Sequence, residues 1–285
     1  MTQPAASDGD LLTLQEAADR LKVHYMTAYR WVRRGDLPAF KAGGRLRVRV
    51  AELESFLAQR QVDVASPTAT RRRTDWAAHV DRVHRHLLAG QAPEVTALLR
   101  RVVADGAPAG DVYLSLLAPA LHRIGDDWEQ GRISVAIEHR ATSIAVAAMA
   151  RLADLFRRRG ATRGTAVTLT PPDEQHGVGA AMTADLLRAS GYDVHHLGCD
   201  VPVDALETFL DTVPCDVVCA SITTRGLRPS YYERLVTAAT TDRGRPIVVV
   251  GGRSADPEAA VAAGALHLDD LRELVPRLEV LRAAA

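Results

Sequence analysis

The sequence predicts a multidomain α and α/β chain: a winged helix-turn-helix unit, a four-helix bundle, and a flavodoxin-like, Rossmann-type parallel α/β domain. Three observations carry this reading. Basic residues crowd into one short N-terminal stretch; the middle of the chain repeats apolar residues at three- and four-residue spacing; and after Gly160 short strand-like runs alternate with helical ones. The segments expected are a disordered N-terminus (1–10), the winged unit (11–60), a linker (61–74), the bundle (75–160) and the α/β domain (161–285).

A chain of 285 residues has room for two or three domains with cores of their own. Its start, MTQPAASDGD, has neither a basic nor an apolar stretch, and no run reaches the roughly eighteen apolar residues of a membrane span, so a cytoplasmic protein is expected. Cys199, Cys215 and Cys219 lie in apolar, strand-like surroundings, as buried reduced thiols would. The 35 Lys and Arg balance the 35 Asp and Glu overall, but not locally. Arg30, Arg33, Arg34, Lys41, Arg45, Arg47 and Arg49 fall in a stretch whose only acid is Asp36, an electrostatic footprint for a polyanion.

In the first unit, Thr13 and Glu16 form a capping box for a helix with Leu14, Ala17, Ala18 and Leu21 as its apolar positions. A second helix follows a short turn. Met26, Tyr29, Trp31 and Val32 are expected to pack, and Tyr25, Thr27, Ala28, Arg30 and Arg33 to face outward. Gly35 to Pro38 ends it, FKAGGRLRVRV reads as two strands around a Gly-Gly tip, and AELESFLAQR is a third helix. Two helices at a tight turn with a basic hairpin behind them are the parts of a winged helix-turn-helix. The unit resembles the excisionase and MerR-like winged helices. The resemblance implies that the second helix enters the major groove of double-stranded DNA, with Tyr25, Thr27, Arg30, Arg33, Arg34, Lys41, Arg45 and Arg47 as contacts.

QVDVASPTATRRRT has no hydrophobic period and reads as a linker, its arginine triplet a solvated charge run more readily than a phosphate contact. From Asp75 to Arg159, four runs have helical apolar spacing and glycine-containing breaks between them, the pattern of four antiparallel helices. The last is rich in alanine, which allows close approach of a neighbour, a ligand or another subunit.

Beyond Gly160, TAVTLT, YDVHHLG, CDVVCASIT, PIVVVGG and ALHL read as five strands of an open parallel sheet, whose ligands bind at the carboxyl ends of the strands. PPDEQHGVGA, with His176, lies at the end of the first strand. A phosphoacceptor site needs an Asp after the third strand and a Lys after the fourth; here those strands end in SIT and VVVGG, with no lysine following, which excludes it. Adjacent His195 and His196 point to opposite faces of a strand, so a metal shared with Cys199 is not expected. Cys215 and Cys219 are expected on one face of a buried strand, and LRELVPRLEVLRAAA as a helix covering the sheet.

Glu174, His176 and Gly179 resemble the Asp-x-His-x-x-Gly loop of the cobalamin-binding domain of methionine synthase and the mutases; Ser221 with Thr223 resembles its Ser-x-Thr, and Gly251 with Gly252 its Gly-Gly. The resemblance implies that His176 is the lower axial cobalt ligand, that a carboxylate sets its tautomer, and that the glycines and Ser221 line the slot for the nucleotide tail. Glu174 is one methylene longer than the usual Asp, so a looser or replaced contact to the imidazole is expected.

Trp128, followed after nine residues by Glu138 and His139, resembles the cap of the light-sensing, adenosylcobalamin-dependent regulators of the CarH type. There the indole is a flat lid over the adenosyl group, and the carboxylate and imidazole can hydrogen-bond it. Glu129 stands where those proteins have a histidine able to take the upper cobalt position. The resemblance implies a non-enzymatic transcriptional regulator that binds adenosylcobalamin and double-stranded DNA, forms a homo-oligomer (a tetramer in the dark) and responds to light. A light-independent cobalamin or redox sensor, and a corrinoid carrier in methyl transfer, are the competing readings.

Overall fold

The computed structural model describes residues 11–59, 74–158, 160–240 and 245–283. The expected disordered N-terminus and almost all of the expected linker, with its arginine triplet, lie outside them. The chain divides into two compact units, Met1–Arg73 and Thr74–Ala285.

The first unit runs β1 (Leu11–Thr13), α1 (Leu14–Arg20), α2 (Tyr25–Arg34), β2 (Phe40–Ala42), β3 (Arg45–Arg49) and α3 (Val50–Gln59). The capping box forms: the Glu16 N–H donates to Thr13 Oγ1 at 3.1 Å, and the Thr13 N–H to Glu16 Oε2 at 2.7 Å. Gly35 closes α2 at φ 78°, left-handed backbone that glycine adopts without steric cost. β1, too short to show a period in the sequence, pairs with β3 and makes the hairpin a three-stranded antiparallel sheet in the order β1-β3-β2. Two expectations for α2 are exchanged. Ala28 is fully buried against Leu14, Leu37 and Leu53, whereas Met26 is 48% exposed.

The second unit opens with α4 (Trp76–Leu88), α5 (Ala92–Ala104), a continuous helix comprising α6 (Ala109–Val112), a π-helical turn (Tyr113–Leu117) and α7 (Ala118–Glu129), then α8 (Val135–Leu152) and a 3₁₀ turn (Ala153–Phe156). The π turn has a cause: Pro119 has no N–H to donate and its ring crowds the carbonyl of Ser115, so the helix widens and the Ala118 N–H reaches back to the Tyr113 carbonyl. Alanines 141, 145 and 148 of α8 are buried in the bundle core, where they let the neighbouring helices approach closely.

The α/β part runs β4 (Thr165–Leu169), α9 (Val178–Ala189), β5 (Asp193–Gly198), α10 (Val203–Thr212), β6 (Val217–Ser221), α11 (Ser230–Ala239), β7 (Ile247–Gly251), α12 (Pro257–Ala262), β8 (Leu266–Leu268), a 3₁₀ turn (Leu271–Glu273) and α13 (Leu274–Ala283). The strands lie in the order β5-β4-β6-β7-β8, all parallel. One apolar layer packs Leu206, Leu235 and Ala260 on the sheet, and the other Leu187, Leu274 and Leu278. Cys219 belongs to the second layer, where burial pushes its thiol up to about 12. Cys215 does not share its face, because β6 begins only at Val217 and leaves Cys215 in the preceding loop, against the first layer.

The bundle docks on α9. Met182 joins the bundle core, and Tyr113 Oη donates to Asp185 Oδ2 at 2.9 Å. Burial, followed by the Asp185 charge, raises the Tyr113 phenol far above its ordinary value, so it stays protonated and keeps donating. No described helix is long and apolar enough to cross a membrane.

Candidate functional site

From β4 the chain runs to β5 on one side, then returns to β6 on the other. This reversal opens a crevice at the carboxyl ends of β4 and β6, where sheets of this kind bind ligands. The β4–α9 loop enters it with Glu174 and His176, and the β6–α11 loop meets it with Thr223 and Thr224.

Glu174 is only 1% exposed. Its Oε2 accepts the N–H groups of Thr223 and Thr224 at 2.7 and 2.5 Å. Its Oε1 accepts the His176 N–H at 2.9 Å, His176 Nδ1 at 2.5 Å and the Thr224 hydroxyl at 3.0 Å. Burial alone would raise the carboxyl, but the backbone donors of Thr224, His176 and Thr223, with the His176 ring, hold it down at about 2. The contact expected to be loose is therefore short. The extra methylene carries the carboxylate to the two amides after β6, and Oε1 still reaches the imidazole.

A carboxylate ionised at neutral pH accepts from Nδ1 and so favours the tautomer with the ring proton there, with Nε2 as the other nitrogen of a side chain 59% exposed. That is the donor set a metal ligand requires. Thr223 takes part through its backbone. Thr224, which the motif does not single out, contributes both backbone and hydroxyl.

The small residues explain themselves by contact. A Cβ on Gly179, in the first turn of α9, would stand 2.5 Å from Ser221 Oγ, so α9 and the end of β6 approach as closely as the missing side chain allows. Gly252 holds φ 112°, and a Cβ there would strike the backbone of Ile222. A Cβ on Gly251 would stand 2.9 Å from the Leu268 carbonyl. Gly251 and Gly252 thus close backbone contacts beside the crevice.

In the cap, Trp128 lies in the last turn of α7 with 45% of its surface exposed. Glu138 and His139 pair with each other, Oε2 to Nδ1 at 2.5 Å, and Glu138 Oε1 accepts the Thr142 hydroxyl at 2.8 Å. Among the described residues none of the three bonds to the His176 loop. What ties this end of the cap to the sheet is Asp126, two residues before Trp128, paired at 3.0 Å with Arg253, the residue after Gly252. Asp127 anchors the turn between α7 and α8, bonded to His84 at 2.8 Å and to Arg132 Nε at 2.8 Å. Glu129 is exposed. His195 lies edge-on to the Phe209 ring while His196 Nδ1 bonds Thr168 Oγ1 at 2.9 Å, so the two histidines have separate surroundings.

In the first unit Tyr25, Arg30, Arg33, Lys41 and Arg45 are exposed, and Thr27 and Arg47 half-buried. The side chain of Arg34 lies outside the described residues. Arg45, Arg47 and Arg49 share one face of β3 because Val48 and Leu46 take the other toward the core. Arg30 Nε donates to the Met26 carbonyl at 3.3 Å, which holds the guanidinium along α2.

Residues 11–61 match the helix-turn-helix domain family, and residues 80–153 and 164–273 match two B12 binding domain families. The chain is 27% identical over 173 residues to the dimethylamine corrinoid protein of Methanosarcina barkeri, which covers 59% of this chain and 80% of that protein. It is 28% identical over 180 residues to the HTH-type transcriptional repressor CarH of Myxococcus xanthus, 62% of this chain and 58% of the repressor, so it spans little more than half of that relative. The solved structure of the Methanosarcina barkeri monomethylamine corrinoid protein superposes with a TM-score of 0.60 at 18% identity, over 72% of this chain and 99% of that one, a likeness of fold. The chain thus joins a helix-turn-helix domain to two B12-binding domains, an arrangement consistent with a CarH-type B12-binding transcriptional regulator.

Proposed function

We propose that this regulator holds adenosylcobalamin between the α/β domain and the bundle, and that light alters its oligomeric state and its grip on a double-stranded DNA operator. The observation that carries the reading is His176: an imidazole with Nδ1 held by an ionised, buried carboxylate and Nε2 left free, at the crevice of a chain that also carries a helix-turn-helix. His176 would hold the cobalt, with Glu174 fixing its tautomer and Thr223 and Thr224 fixing Glu174. Gly179, Ser221, Gly251 and Gly252 border the slot for the nucleotide tail. Trp128, Glu138 and His139 would face the adenosyl group, to which Glu138 and His139 would offer a carboxylate and an imidazole. Bound adenosylcobalamin supplies a cobalt–carbon bond that light breaks. The protein turns over no substrate. In the first unit the arginines hold phosphates and α2 reads the major groove. Glu129 stands at the position of the second histidine, so this chain would offer a carboxylate there in place of an imidazole.

The test is reconstitution of the purified protein with adenosylcobalamin and with methylcobalamin in darkness, recording absorption, mass and operator binding before and after green light. Retention of the adenosyl form, with a change of mass and DNA affinity on illumination, is expected. Equal mass and affinity in light and dark would leave a light-independent cobalamin or redox sensor. Retention of methylcobalamin alone, without DNA binding, would favour a corrinoid carrier, a reading supported by the similarity to the dimethylamine corrinoid protein.

A further inference from the structure

The loop that carries His176 is locked to the loop after β5 by two residues in unfavourable backbone. Asp173 holds φ 63° and Asp200 φ 56°; left-handed backbone is costly for any residue with a Cβ, and aspartate and asparagine tolerate it best. The two meet: the Asp173 N–H donates to Asp200 Oδ1 at 2.8 Å. The Asp200 N–H in turn donates to Thr170 Oγ1 at 3.0 Å and to the Glu174 carbonyl at 3.2 Å. That carbonyl also accepts the Thr170 hydroxyl at 2.6 Å, and the Val201 N–H donates to the Thr170 carbonyl at 3.1 Å.

Glu174 is thus held twice, its carboxylate by the loop after β6 and its backbone by Thr170 and Asp200. Strained residues persist only where their surroundings over-determine them, and a facing pair concentrates that constraint one residue before the carboxylate that holds His176. We propose that Asp200 is a positioning residue for the cofactor ligand: its carboxylate and left-handed backbone set the path of residues 173–174, so that Glu174 holds His176 with Nε2 free. The proposal rests on the cobalamin reading of this site. Asp200 touches neither the imidazole nor the carboxylate of Glu174, and acts through the backbone.

Three full-length variants separate its two contributions. Asp200→Asn keeps the acceptor and the backbone tolerance, Asp200→Gly keeps only the backbone freedom, and Asp200→Ala keeps neither. Each is reconstituted with cobalamin, and the release rate is followed by dialysis, the nitrogen splitting by electron paramagnetic resonance of the Co(II) form. The cofactor-free proteins are compared by thermal unfolding and by the proton resonance of His176 Nδ1–H. Asp200→Asn should match the wild type. Asp200→Gly and Asp200→Ala should release cobalamin about tenfold faster, as loss of an outer-shell support does, with weakened nitrogen splitting and a broadened Nδ1–H signal. Wild-type release, splitting and resonance in all three variants would overturn the proposal. Failure of the wild type to take up cobalamin would overturn the cofactor reading instead, and the His176 resonance would then decide the role of Asp200.

Discussion

Replacing Glu174 by Gln tests the centre of the site without any cofactor. In the folded protein the carboxyl lies at about 2 instead of the ordinary 4.5. At ~1.4 kcal/mol for each pH unit, the ionised form contributes about 3 kcal/mol of stability at neutral pH. Because the folded value is depressed, this stability is fully present above the unfolded value near 4.5 and is lost as pH falls toward 2. Gln keeps one acceptor oxygen but turns an NH₂ toward groups that are themselves donors, the amides of Thr223 and Thr224 or the N–H groups of His176. The variant should therefore unfold on the order of 10 °C below the wild type at pH 7. The gap should shrink to about 1 kcal/mol at pH 3. Thermal unfolding of both cofactor-free proteins from pH 7 to pH 3, followed by circular dichroism, measures it. A gap that stays constant across that range would show that the substituted glutamine only packs badly and that the carboxylate's charge is not what its five donors hold.

Other consequences are open to equally direct measurement. Gly252→Ala should cost about 3 kcal/mol or more in denaturant unfolding, since the new Cβ meets the Ile222 backbone at φ 112°, and neither can yield cheaply; wild-type stability would refute that packing. Tyr231→Phe should stabilise the protein by about 1 kcal/mol, because the Tyr231 hydroxyl is buried without a hydrogen-bond partner among the described residues; a drop in stability in urea would reveal a partner. Arg30→Ala, Arg33→Ala and Arg45→Ala should each weaken DNA binding and reduce the salt dependence by roughly one unit of slope for each phosphate no longer gripped. Affinities unchanged at every salt concentration would move the DNA surface elsewhere.

Much of this molecule is legible in its sequence, because its signals are local. A capping box needs only Thr13 and Glu16, a hairpin only its Gly-Gly tip, and the alternation of strand-like and helical runs after Gly160 suffices for a parallel sheet with its chemistry at the His176 turn. What the sequence leaves out are contacts between segments far apart along it. β1 exists because β3 pairs with it. Ala28 is core and Met26 surface because of which side of α2 the fold packs on Leu14, Leu37 and Leu53, and Cys215 parts from Cys219 because β6 starts two residues late.

At the site the division falls in the same place. The residue types and their order name His176 and Glu174, but the length of Glu174 has no meaning until the loop after β6 is brought to it. Only then do Thr223 and Thr224 supply donors, some fifty residues away, that convert an apparent misfit into a tight, ionised clamp. The sequence by itself determined the elements and singled out His176; the tertiary structure decided how its imidazole is held, because buried charge is stabilised by whichever donors the fold delivers, and their delivery is not a local property of the chain.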